Sequence, residues 1–435
     1  MPSLSGHLVG VASLTRPMAV QSTAQTMRQG RSRSRRFLLA VLVAAFAVAP
    51  GVPGIASAAP GKHGLLKAPA ALAFYQPPAH LPAGHHGGVI WERRASAAAT
   101  LAGGARTTLV LYRSTAPDGK PIAVSGLVSV PRGRPPKGGW PVITYAHATT
   151  GIADACAPSR DSPMSPAHAY IDYVDPVLDS WLAQGYAVVQ TDYPGLGTPG
   201  THPYLIGVSE GRSVLDMVRA ARQLDPRIGP RFAIAGHSQG GHAALWAAAL
   251  APSWVPELQL VGTVAFAPAS HTEQEIDAAG ALTTPSADSA LGALIVVGAA
   301  TASPALELAQ LLSPQAQSLL GQVASECLPA LGATDSWGGL APSAVFAPGA
   351  DLTLLNQVLA ANDPGQLKIS SPVLIVQGTS DTTVLPGFTT ALVGELQALG
   401  DSIDYQTLAG VDHAGVVSAG AAMADTWLTA RFGSV

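Results

Sequence analysis

The stretch Ala235-Gly236-His237-Ser238-Gln239-Gly240-Gly241-His242 decides how this chain is read. It contains Gly-x-Ser-x-Gly. An apolar run, Phe232 to Gly236, precedes it, and an Ala-rich segment, Gly241 to Leu250, follows. The pattern alone is weak in a chain with 46 Gly. Set between a strand and a helix, it acquires a mechanism. A turn that tight needs small flanking residues, and it lifts the Ser238 side chain clear of the backbone. The N–H of Gln239, at the positive end of the following helix, is then aimed to stabilise an oxyanion. Ser238 reads as a nucleophile.

A serine nucleophile needs a base, and on such a sheet the chain order is serine, acid, histidine. After Ser238 only His242, His271 and His413 remain. His242 lies one helical turn along and points away from the attacking oxygen. His271 sits where the strand–helix rhythm breaks. His413, in Leu408-Ala409-Gly410-Val411-Asp412-His413-Ala414-Gly415, follows the last strand and precedes one final helix. His413 is therefore the expected base. The acid should follow the preceding strand, Val373 to Gln377, which selects Asp381 over Asp351 and Asp412. The second oxyanion donor should lie in Ala146-His147-Ala148-Thr149-Thr150-Gly151, with the N–H of Thr149 first and that of Thr150 second. His147 reads as a residue that fixes this loop. Asp192-Tyr193-Pro194-Gly195-Leu196-Gly197 reads as structural, at the base of the site.

Outward from this centre, Val89 to Ser96, Thr107 to Ser114 and Ile122 to Val130 predict early antiparallel strands. Trp140 to Ala146, Tyr186 to Asp192, Phe232 to Gly236, Leu258 to Ala267, Val373 to Gln377 and Ile403 to Leu408 predict the remainder. Helical periodicity marks Glu210 to Leu224, with Ser209 as its cap, and helices are expected over Pro386 to Leu399 and Gly420 to Phe432. Strands alternating with helices predict an α/β fold with a mostly parallel central sheet and helices on both faces. Residues 271–352 interrupt the alternation and predict an inserted helical cap, leaving a core of 89–270 and 353–435. Residues 59–88, rich in Pro, Gly and His, predict a loosely ordered lead-in. The apolar stretch Leu291 to Ala300 is either the core of the cap or the wall of an acyl tunnel.

The N-terminal 58 residues read as a cleaved export signal. Arg31, Arg33, Arg35 and Arg36 precede the apolar run Phe37 to Ala49, and Ala56-Ser57-Ala58 supplies the cleavage pattern. This segment holds six of the 24 basic residues and no acid, so the remaining chain carries 18 basic against 27 acidic residues, a net charge of −9. No basic stripe exists for nucleic acid. No other run reaches membrane-spanning length. The predicted cap carries acids only, Glu273, Glu275, Asp277, Asp288, Glu307 and Glu326 among them, and no Lys or Arg occurs between Phe232 and Leu367. The two Cys, Cys156 and Cys327, imply one disulfide in an exported protein, and two isolated Cys cannot build a zinc site.

These residues resemble the secretory lipase family of yeasts and actinobacteria, within the α/β-hydrolase superfamily. The resemblance is carried by the Ser238 motif, by His147 to Gly151 continuing through Ile152-Ala153-Asp154-Ala155-Cys156-Ala157-Pro158-Ser159, by Asp192 to Gly200 with His202-Pro203-Tyr204-Leu205, and by Glu210-Gly211-Arg212-Ser213-Val214-Leu215-Asp216. It spans roughly residues 75 to 432, and Ala148 stands where the family has Gly. It implies a triad of Ser238, Asp381 and His413, a helical cap over the site, and pairing of Cys156 with Cys327. It implies no metal or organic cofactor. The partner it implies is a small-molecule or lipid ester, met outside the cell or at the cell wall, with a transient lipid interface for lipid substrates. Within it, hydrolysis, acyl transfer to an alcohol, and a catalytically inactive wall-associated binding protein stay open as alternatives.

Overall fold

The computed structural model describes residues 65–165 and 167–433. The export signal predicted over residues 1–58 lies outside them. Nine strands form one sheet: β1 (Val89–Arg94), β2 (Gly104–Thr115), β3 (Pro121–Pro131), β4 (Trp140–Ala146), β5 (Ala187–Thr191), β6 (Ile228–His237), β7 (Gln259–Phe266), β8 (Val373–Gly378) and β9 (Ile403–Leu408). Their order is β1-β2-β3-β5-β4-β6-β7-β8-β9. The first three strands and the β3–β5 pair are antiparallel, and every pair from β5 to β9 is parallel.

β4 shows why the central strands read as unbroken apolar runs. All seven of its residues are buried. Side chains alternate across the sheet, so a strand covered on both faces must be apolar throughout. Val142 and Ala146 enter the core that holds the helices Gly207–Leu224 and Gln239–Trp254, while Ile143 and Tyr145 face the helices Asp175–Ala183 and Val416–Phe432.

Between β7 and β8 the chain leaves the sheet for a helical insertion with its own apolar core, centred on the fully buried Trp337. Ala290, Ala293, Leu294, Val296 and Ala299 of the helix Asp288–Ala302 are buried in that core, so the Leu291 to Ala300 stretch packs as interior. The cluster continues into Ile152, Tyr204, Leu205 and Ala269, the last hydrogen-bonded through its N–H to the Ser238 carbonyl. The Asp288–Ala302 helix approaches that closely because it presents Gly298, where a Cβ would lie 2.4 Å from the Tyr204 carbonyl oxygen.

Three expectations are corrected. The helix Thr353–Ala361, expected as core, buries Leu355 and Leu359 in the insertion's cluster, and the sheet resumes only at Val373. The lead-in is not loose over its described part, 65–88. Phe74 and Tyr75 are buried against β1 to β3, Trp91 Nε1 donates to the Phe74 carbonyl at 2.9 Å, and Tyr75 OH donates to the Ser159 carbonyl at 3.0 Å. Ser209 caps nothing, since its helix begins at Gly207 and no side chain caps it. Among the described residues no helix is long and apolar enough to cross a membrane.

Cys156 and Cys327 form a disulfide across a separation of 171 residues. Gly151 pairs with Cys327 in an isolated bridge, and Leu328 N–H donates to the Thr150 carbonyl at 2.9 Å. The bond therefore ties the loop after β4 to the insertion. For a loop of this length the chain-entropy account sets an upper limit of roughly 5 kcal/mol. Denatured chain should titrate no thiol before reduction and two after it. Replacing both Cys by Ser should lower the unfolding free energy in urea by about 2–5 kcal/mol.

Candidate active site

The turn between β6 and the helix Gln239–Trp254 holds Ser238 at φ 57° and ψ −118°, a conformation costing on the order of 1–3 kcal/mol for a non-glycine residue. Three backbone hydrogen bonds hold it there. Ser238 N–H donates to the Phe266 carbonyl at 2.9 Å, and its own carbonyl accepts from His242 at 3.0 Å and Ala269 at 3.1 Å. The flanking glycines are required by space. A Cβ on Gly240 would stand 1.9 Å from the Ala146 carbonyl oxygen, and one on Gly236 2.0 Å from that of Gly240. Ser238 is 8% exposed.

Asp381 and His413, from the ends of β8 and β9, meet: His413 Nδ1 donates to Asp381 Oδ2 at 2.8 Å. Asp381 also accepts from the backbone of Thr383 and Val384, each at 2.9 Å, and from Gln377 Nε2 at 3.0 Å. Burial alone would raise its carboxyl. The His413 hydrogen bond and charge, with the two amides, outweigh burial and hold it below the usual carboxylate value. With Nδ1 committed to Asp381, His413 keeps Nε2 as its basic nitrogen. The His413 ring lies 4.6 Å from that of His237, the residue before Ser238. No hydrogen bond joins the Ser238 hydroxyl to His413.

The rivals are engaged elsewhere. Asp412 accepts from Gly415 N–H and Asp351 from Thr353 N–H. His242 faces Glu210 at 3.3 Å and the Asn362 carbonyl at 2.8 Å, away from the site.

Gln239 is the first residue of its helix, so its N–H has no intrahelical partner. Its side chain is anchored, Nε2 lying 2.7 Å from Glu210 Oε1 and 2.8 Å from His202 Nε2. Burial holds His202 neutral, and its Nδ1 donates to the Pro194 carbonyl at 2.9 Å, which leaves Nε2 to accept from Gln239. Thr149 is buried, with Oγ1 2.7 Å from Tyr204 OH. His147 fixes the same loop. Burial lowers it to about 4, and its Nδ1 donates to the Ala148 carbonyl at 2.7 Å while its ring packs on Tyr193. Asp192 is structural, accepting from Ser125 Oγ at 2.6 Å and from Ser159 N–H at 2.9 Å.

Sequence reasoning missed Glu210, Gln377 and Tyr173. Glu210 was legible only as part of a family-like run, Gln377 as the end of a strand. Tyr173 OH lies 2.6 Å from His237 Nδ1, and nothing in its local sequence marks it. A cavity under the loop after β4, lined by Tyr145, His147, Ala148, Thr150, Tyr173 and Asp175 among others, does not include Ser238 or His413. It is a neighbour of the site rather than the site.

The profile of the secretory lipase family matches residues 164–434. The chain belongs to the secretory lipase family. Lipase A of Moesziomyces aphidis is 30% identical over 315 residues, 68% of this chain and 63% of that protein, so the match spans under two thirds of that relative's length. A probable inactive lipase of Mycobacterium tuberculosis is 27% identical over 341 residues, 75% of this chain and 73% of that protein. Among solved structures, Candida antarctica lipase A in its closed state superposes with a TM-score of 0.68 at 22% identity, covering 80% of this chain and 82% of that one. A rice cell wall degrading esterase of Xanthomonas oryzae gives 0.68 at 19% identity, covering 80% and 100%. These likenesses show that this chain has the α/β-hydrolase fold.

One acid near Asp381 is out of register with ordinary carboxylates. Burial, and then the charges of Asp381, Asp363 and Asp288, raise Glu275 from 4.5 to about 8. Between these values the folded chain holds a proton that the unfolded chain releases, so this group favours folding below pH 4.5 and withdraws that support as pH rises toward 8. Urea unfolding of wild type from pH 5 to pH 9 should show this loss, and Glu275→Gln should flatten the slope and be the more stable protein at the alkaline end.

Proposed function

We propose that this chain is an exported serine hydrolase that cleaves carboxylic esters through an acyl-enzyme on Ser238. The observation that carries the reading is the 2.8 Å contact of His413 Nδ1 with Asp381 Oδ2 beside the strained Ser238 turn. Asp381 orients His413 and stabilises its imidazolium. Nε2 of His413 takes the Ser238 proton as Oγ attacks the ester carbonyl. The N–H groups of Gln239 and Thr149 receive the oxyanion. The tetrahedral intermediate collapses, the C–O bond breaks, and the departing alcohol takes the proton from His413. Water, deprotonated by the same nitrogen, then attacks the acyl-enzyme and frees the acid and Ser238.

Membership of a secretory family and the Arg-rich, apolar N-terminus both favour action outside the cell. The burial of Ser238, together with the packing of the insertion on Tyr204, favours a cap that moves aside to admit substrate. The competing reading, an inactive protein on this fold, takes its support from the Mycobacterium tuberculosis relative. The hydrogen-bonded Asp381–His413 pair speaks against it.

Hydrolysis of a p-nitrophenyl ester series by the wild type should lose about 10⁶ in turnover with Ser238→Ala and about 10⁴ with Asp381→Asn. Wild-type activity retained by Ser238→Ala would refute the assignment. Activity absent from the folded wild type, with and without an added alcohol acceptor, would favour the inactive reading.

A further inference from the structure

His271, at the start of the insertion's first helix, and Asp363, just after its last helix, meet a third residue, Glu395, on the core helix Pro386–Ala398. One imidazole nitrogen and one carboxylate oxygen from each acid all lie within 4.8 Å of one another. We propose that His271, Asp363 and Glu395 form a structural divalent-cation site, matched to zinc, that pins both ends of the insertion to the core. The proposal stands independently of the proposed ester chemistry.

The distances fit a cation shared by the three side chains. His271 Nε2 and Glu395 Oε1 are 3.3 Å apart. A charge-assisted hydrogen bond draws such atoms to about 2.7–2.9 Å. Zinc bonds at 2.0–2.2 Å across a tetrahedral angle hold two ligand atoms about 3.4 Å apart. Asp363 is already oriented. Its Oδ2 accepts from the backbone N–H of His271 and its Oδ1 from Gly365 N–H, the latter at 2.7 Å. The His271 ring stacks on Phe388 at 5.6 Å, which fixes its plane.

The charge balance points the same way. Among the described residues no Lys or Arg pairs with Asp363 or Glu395, and Lys368 is engaged by Asp401 at 2.7 Å. One turn beyond His271, Glu275 Oε1 is buried without a hydrogen-bond partner, and burial followed by neighbouring charges, that of Asp363 among them, raises its carboxyl to about 8. A dication would relieve this excess of negative charge. One imidazole and two carboxylates form a mixed nitrogen–oxygen set suited to zinc, with a solvent oxygen as fourth ligand.

The test is metal analysis after equilibrium dialysis of the purified, disulfide-bonded chain against zinc chloride at neutral pH, with thermal unfolding measured alongside. The expected result is one zinc per chain and a rise in Tm with zinc. His271→Ala and the milder surface change Glu395→Gln should each weaken binding at least tenfold and abolish the Tm rise. Should His271→Ala not fold, Glu395→Gln decides alone. Absence of zinc from the wild type, or unchanged binding in the folded variants, overturns the proposal.

Discussion

The close approach of backbone to backbone at the end of β6 is the constraint on which the rest depends. Gly236 and Gly240 sit so near other carbonyl oxygens that no side chain fits, and Ser238 is thereby forced into a conformation it would not adopt alone. The cost is met by its neighbours. β7 supplies the carbonyl of Phe266 to the Ser238 amide, and the segment after β7 supplies the Ala269 amide to its carbonyl. Because β4, β6 and β7 are adjacent parallel strands, the same edge of the sheet also delivers the loop after β4. The strain at Ser238 and the placement of the loop after β4 share one structural origin.

Polar groups behind the site continue this logic. Gln239 has its side chain held by Glu210 and His202, so its amide is anchored from the helix Gly207–Leu224. Thr149 is held by Tyr204, on which the insertion packs. The loop carrying Thr149 and Thr150 is further tied to the insertion by the disulfide and the Leu328 hydrogen bond. A displacement of the insertion is thus coupled to the loop after β4 through covalent and hydrogen-bonded links. The Asp381–His413 pair rests on β8 and β9 and on the Thr383 and Val384 amides, all within the core.

Much of this was legible in the sequence where local pattern and tertiary role coincide. β4 and β9 begin and end where their apolar or alternating runs do. Ser238, Asp381 and His413 were selected because each follows a strand in a fixed order, and the structure brings Asp381 and His413 together. Strand order was not legible. β5 lies between β3 and β4, a crossover that no local signal encodes. The end of the insertion was misplaced because the helix Thr353–Ala361 is amphipathic like any core helix, and only the apolar partners of Leu355 and Leu359 decide where it belongs. Phe74 and Tyr75 were passed over because two aromatics in a Pro- and Gly-rich segment look like loop until a sheet face covers them. Glu210, Gln377 and Tyr173 are single polar residues in ordinary elements, and their meaning lies in partners distant along the chain.

The account turns on Ser238 as the nucleophile, and covalent trapping tests it most directly. The folded chain would be treated with a fluorophosphonate, its intact mass measured, and the modified peptide sequenced. The account predicts one phosphonyl group per chain, on Ser238, and none on chain unfolded before treatment. A label on another residue, or a folded chain that takes up none while its buried site is open to the probe in detergent, would contradict it.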